Sequence, residues 1–305
     1  MLVRFAREYG WRAYAIPVLI VITVWVLVSI FTTDAHEPAP TGVAPESVTR
    51  GTAEEKSGDR PGKVSSEAAT SGPGHGLGDS PNPAYATRPN LPNGELPPGA
   101  PYSEKGTGEF RTVGFAGPPV GRGEKTFTYV VEVEEGLDPA VYGGDDAVSA
   151  MVDATLSDPR GWIADTRFAF QHIDGNDPRI PDLRIQLTSV GTTHEVCGHS
   201  LEMETSCFYS DGNRVLLNES RWIRGALPFD GDIGSYRQYL VNHEVGHGIG
   251  FTAHEPCGGA GELAPVMMQQ TLSLSNSVLA GISPTEVYPD DGAVCRYNPW
   301  PYPYA

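Results

Sequence analysis

The stretch NHEVGHGIGFTAHEP, residues 242–256, constrains this chain more than any other. Its core, HEVGH, sets His243 and His247 four residues apart with Glu244 beside the first. On a helix that spacing brings both imidazoles onto one face, a single turn apart. Two neutral imidazoles so placed can each reach a zinc ion at roughly 2.0–2.1 Å, while Glu244, about a quarter-turn round, reaches a water at the metal's open position. Gly250 suits a left-handed residue that ends the helix and turns the chain back beneath it. That return delivers His254 as a third ligand, with Glu255 and Cys257 as nearby rivals. Three protein ligands and an open fourth position describe a catalytic zinc site, whereas structural sites are usually closed by four ligands.

Spacing also excludes a decoy. His194, Glu195 and His199 in HEVCGH repeat the residue types, but histidines five apart do not share a helical face, and the run reads as a loop.

The N-terminus carries an uncharged apolar run, residues 15–31 (AIPVLIVITVWVLVSIF), at the lower edge of the length that spans a membrane. Arg4, Arg7 and Arg12 precede it, while Asp34 and Glu37 follow it. The positive-inside rule then predicts a cytoplasmic tail over residues 1–14, a signal-anchor over 15–32 and export of everything after it. The alternative is a cleaved signal peptide, whose apolar core is normally shorter than this run. Residues 33–108 are rich in Pro, Gly, Ser and Thr without apolar periodicity, which predicts a disordered tether, and His75 within it reads as a solvated histidine.

The folded domain is expected over residues 109–305. Thr126–Val133, Thr166–Ile173 and Leu183–Thr188 alternate aromatic and β-branched residues as strands do, and His172 reads as a satisfied sheet histidine. Asp145–Leu156 places Val148, Met151, Val152 and Leu156 on one helical stripe. Arg214–Leu217 reads as a short strand, with Trp222 a core residue after it. Ser235–Gly248 then forms the helix that bears the histidines, with Tyr236, Leu240, His243 and His247 along one face. Gly246 and Gly248 oppose helix propensity by about 1 kcal/mol each, so close packing against that helix is expected there. The proline- and aromatic-rich end, residues 295–305, reads as a strap docked on the domain.

A formal net charge of −17, with no lysine after Lys125, leaves no basic stripe for phosphate and argues against nucleic acid as a partner. The four cysteines all lie on the exported side and none forms a CxxC pair, which fits two disulfides. The preferred pairing joins Cys197 with Cys207 and Cys257 with Cys295; the second bond would fasten the strap beside His254.

HEVGHGIGFTAH resembles the long zinc signature of the metzincin metallopeptidases, and APVMMQQ at residues 264–270 resembles the methionine turn beneath their metal. With DPRGW at Asp158 and NPWPYP at Asn298, the last two-thirds of the chain is similar to an uncharacterised actinobacterial family of membrane-anchored, metzincin-like domains. His254 stands one residue later than the usual spacing, which would put the third histidine at Ala253. The resemblance implies an α+β fold: a twisted mixed sheet with backing helices, then an irregular C-terminal part carrying the methionine turn. It places Met267, or its neighbour Met268, as a soft floor under the histidines. It also implies an edge strand that binds substrate backbone, a place Val215, Leu216, Leu217 and Asn218 could fill.

The expected activity is zinc-dependent hydrolysis of peptide bonds in a peptide or protein substrate, with Zn²⁺ as cofactor and Glu244 as general base. Two alternatives use the same residues: an amidase acting on cell-wall peptide cross-links, and a non-catalytic, envelope-tethered zinc module.

Overall fold

The computed structural model describes residues 87–198 and 203–305. The expected signal-anchor, most of the expected tether and His199 lie outside the described residues. Among the described residues no helix is long and apolar enough to cross a membrane.

The domain is α+β, built on a seven-stranded mixed sheet. Two short strands, β1 (Phe110–Val113) and β2 (Val120–Gly121), precede the central strand β3 (Lys125–Glu134). Next come α1 (Pro139–Tyr142) and α2 (Asp145–Ser157), then β4 (Phe168–His172) and β5 (Leu183–Thr188). β3 pairs in parallel with β4 on one side and β5 on the other, while β1 lies antiparallel along its far half. The aromatic and β-branched runs become strands within two residues of their sequence limits. Phe127, Tyr129, Val131 and Val133 of β3 share a face with Leu183, Ile185 and Leu187 of β5, as the register requires. Val148, Val152 and Leu156 of α2 cover that face, each fully buried. Each such side chain contributes roughly 1.5–3 kcal/mol of burial.

The remaining elements are α3 (Val190–Cys197), β6 (Cys207–Tyr209), β7 (Arg214–Asn218), α4 (Glu219–Arg224), α5 (Ile233–Ile249) and α6 (Asn276–Ile282). Three expectations are corrected here. His194 and Glu195 lie on α3 and not in a loop: the Ser189 hydroxyl caps its start by accepting from the Thr192 amide, and Gly198 ends it. His194 is paired with Glu204 at 3.1 Å.

Val215, Leu216, Leu217 and Asn218 do not form the sheet edge. β7 is bonded on both sides, parallel to β5 and antiparallel to β6, and the edge is the three-residue β6. The turn between them, Ser210–Asn213, has Gly212 at φ 78° and Asn213 at φ 52°, so the pair is a hairpin.

The third correction concerns residues 94–108, expected in the tether but bonded to the domain. The buried guanidinium of Arg221 donates to the carbonyls of Gly94, Glu95, Glu204 and Gly225. Glu219 accepts from the Ser103 amide at 2.6 Å, and Glu134 accepts from the Gly108 amide at 2.8 Å. These are backbone groups held by buried charges, so no apolar periodicity marks the segment. Both disulfides form with the preferred pairing, Cα atoms being 5.9 Å apart for Cys197–Cys207 and 5.7 Å for Cys257–Cys295.

Candidate metal centre

The site is carried by α5, capped at its start by Asp232, whose carboxylate accepts from the Ser235 amide. Gly250 ends the helix at φ 119°, and its amide closes back on the carbonyls of Gly246 and His247. His243 and His247 are thereby presented one turn apart with ring centroids 4.9 Å apart, and the returning chain brings the His254 ring within 5.4 Å of both. One ring nitrogen from each of the three lies within 4.8 Å of the other two. Neighbouring nitrogens of a tetrahedral site with bonds of 2.0–2.1 Å stand roughly 3.4 Å apart, so the cluster is compatible with that arrangement.

Each Nδ1 has its own acceptor: the Val266 carbonyl for His243 at 2.8 Å, the Phe251 carbonyl for His247 at 2.8 Å, and the Glu286 carboxylate for His254 at 3.2 Å. With Nδ1 carrying the proton, the Nε2 lone pairs are left for a cation. The buried Nε2 of His243 has no hydrogen-bond partner, an orphan that a metal bond would satisfy. Burial lowers the proton affinity of His243 far below the usual histidine range, and the two neighbouring imidazoles lower it further; His247 is shifted the same way by burial and by His254. Both helical imidazoles therefore favour the neutral state, the one in which they ligate. The donor set fits a borderline metal such as zinc.

The rivals for the third position fall away. Cys257 is locked in its disulfide, and Glu255 lines a different, larger cavity of about 720 Å³ beneath the C-terminal strap. Among the described residues no fourth His, Cys, Asp or Glu joins the cluster.

Glu244 shares a cleft of about 430 Å³ with the three histidines, walled by Cys207 and Phe208 of the edge strand, by Ser206 just before it and by Gln269. Burial pushes its carboxyl up to about 8, and the Phe208 amide, donating to it, offsets part of that rise. The edge strand that reaches the site is therefore β6, which sequence reasoning missed; the SDGN turn after CFY was its signal.

Met267, and not Met268, packs under α5. A Cβ built on Gly246 would stand 2.5 Å from its sulfur and 2.8 Å from the Trp162 ring, so glycine is what lets the turn approach the helix. Gly248 serves likewise against Leu183 and Phe208. Met268 instead joins a second core around Cys257, Leu272 and Cys295. Tyr239 of α5 ties the turn down, its hydroxyl donating to the Met268 carbonyl at 2.9 Å and accepting from the Gln270 amide at 3.0 Å.

The sequence runs around the histidines meet behind this floor. The Trp162 indole of DPRGW donates to the Asn242 carbonyl at 2.9 Å, and the Asn242 side chain donates to the Pro299 carbonyl of NPWPYP at 2.9 Å. Asn298 exchanges two bonds with Gln270, at 2.9 and 2.8 Å. The strap is thus a brace for the methionine turn. Residues 96–303 match the model of a family described as a protein of unknown function, DUF3152. The chain belongs to the DUF3152 family. The DUF3152 match takes in every element of the centre, from β6 to the strap. No curated protein and no solved structure matches the chain.

Proposed function

We propose that this DUF3152 domain is a metzincin-like, zinc-dependent peptidase, exported and held to the membrane by residues 15–32, that hydrolyses peptide bonds in peptide or protein substrates. The observation that carries this reading is the convergence of three imidazoles, with no fourth His, Cys, Asp or Glu among the described residues, on a cleft that also holds Glu244. A metal bound there supplies a Lewis acid that acidifies water and polarises a carbonyl. Glu244 takes the proton of the attacking water and returns it to the leaving amine, a pair of transfers that one carboxyl can serve. Burial keeps this carboxyl protonated at neutral pH in the metal-free protein, and a cation held beside it would favour the carboxylate that accepts the water's proton. The three Nδ1 anchors hold the imidazoles in the ligating tautomer throughout. The outward side of β6 offers main-chain groups along the cleft to an extended peptide.

The test is cleavage of an unbiased peptide library by the zinc-loaded full-length chain, run beside Glu244→Gln. Cleavage by the parent, with a loss of at least about 10²-fold in the variant at unchanged zinc content, supports the reading. Equal cleavage by both removes Glu244 from the chemistry. One bound zinc with no cleavage by either directs the search to cell-wall cross-links, to be assayed on intact peptidoglycan, or to a structural zinc.

A further inference from the structure

The three histidines are not anchored alike. His243 and His247 sit on α5 and give their Nδ1 protons to main-chain carbonyls, acceptors that no substitution deletes. His254 lies in the irregular chain after the helix, with no regular element to hold its ring. Its Nδ1 partner is a side chain, the Glu286 carboxylate, 32 residues further along. The segment bearing Glu286 is shaped for this contact. The Glu286 amide donates to the Ser283 carbonyl at 3.0 Å, and two residues on, the Tyr288 ring lies near-parallel to the His254 ring at 6.4 Å. The Tyr288 hydroxyl is fixed in turn by the Gln269 amide at 3.0 Å. Asn276 and the Cys257–Cys295 disulfide tie the same segment to the chain just after His254.

We propose that Glu286 is the positioning residue of the third ligand, its carboxylate fixing the Nδ1 proton of His254 so that Nε2 points into the cluster. The inference rests on the reading of the three histidines as metal ligands. A carboxylate is a stronger acceptor than a carbonyl, so it orients the ring of a histidine that no regular element holds. Glu286 is itself partly exposed, with 38% of its side chain open, and it carries no core packing that its removal would collapse.

The experiment measures Zn²⁺ affinity of the full-length chain, of Glu286→Gln and of Glu286→Ala by competition with a chromogenic chelator, alongside thermal unfolding of each metal-free protein. Glu286→Ala is expected to lose roughly 10–100-fold in affinity. Glu286→Gln, which keeps an oxygen acceptor without the charge, is expected to fall between it and the parent, and the metal-free proteins are expected to melt together. Cobalt(II) substitution gives a second readout, since a reoriented imidazole alters the visible absorption of the bound ion. Parent-level Zn²⁺ affinity in Glu286→Ala overturns the inference while leaving the metal centre intact. A fall in metal-free stability that accounts for the affinity loss also overturns it, by making the role structural. Failure of the parent to bind one Zn²⁺ overturns the metal centre itself.

Discussion

The ring Nδ1 of His243 lies 2.8 Å from the carbonyl oxygen of Val266, the residue immediately before Met267. The turn at residues 264–270 therefore also sets the tautomer of the most buried histidine of the cluster. Turn and histidine move together, so a disturbance of residues 264–270 reaches the candidate metal centre through one hydrogen bond.

His254→Ala leaves the helical pair intact but removes the third donor. Zinc content after gel filtration is expected to fall well below one per chain, and Glu255→Ala is expected to retain the metal, since Glu255 faces the other cavity. Loss of zinc in Glu255→Ala with retention in His254→Ala would reverse the ligand assignment.

Gly246→Ala puts a methyl group against Met267 and Trp162. Alanine favours a helix over glycine, yet overpacking dominates here, and the variant is expected to lose about 1–3 kcal/mol of stability by urea unfolding. A more stable variant would show that the turn can withdraw from the helix.

Glu244 gives the metal-free protein a pH-dependent stability. Its carboxyl titrates near 8 in the folded state and near 4.5 when unfolded, so between those values the folded chain holds a proton that the unfolded chain has released. The contribution is complete below pH 4.5 and is lost as pH rises toward 8. Glu244→Gln has no such loss. In chelator it is expected to be more stable than the parent by on the order of 3 kcal/mol at neutral pH, with the two melting curves converging near pH 4. A gap that widens toward acid would contradict the burial of this carboxyl.

The disulfide Cys257–Cys295 closes a loop that contains both the methionine turn and Glu286. Replacing both cysteines by serine is expected to cost about 4 kcal/mol in the chain-entropy account and to weaken zinc binding as well. The Cys197–Cys207 pair should affect stability with less effect on affinity, because it holds the cleft wall and no ligand. Isothermal titration on both double variants separates the two.

The centre was legible because its signals are local. Histidines four apart, a glycine three residues after the second and a methionine turn downstream can be read from neighbouring residues, and the helix, its end at Gly250 and the return of His254 all followed. What escaped depends on distance or brevity. β6 has three residues, too few to show alternation, and only its SDGN turn could have announced it, which is why the edge was placed one strand too far inside the sheet. Residues 94–108 have the composition of a tether because Arg221, Glu219 and Glu134 grip their main chain, and backbone bonds leave no trace in side-chain pattern. Glu286 stands in an acidic surface run, and nothing near it in the chain names His254 as its partner.

The grip of Arg221 on Gly94 and Glu95 limits how far the N-terminal side of this domain can be trimmed. A protease cutting at residue 108 would strip two carbonyls from a buried guanidinium and leave its charge unmet, whereas a cut ahead of Gly94 removes none of its partners. A fragment that keeps the whole fold must therefore begin upstream of that clasp.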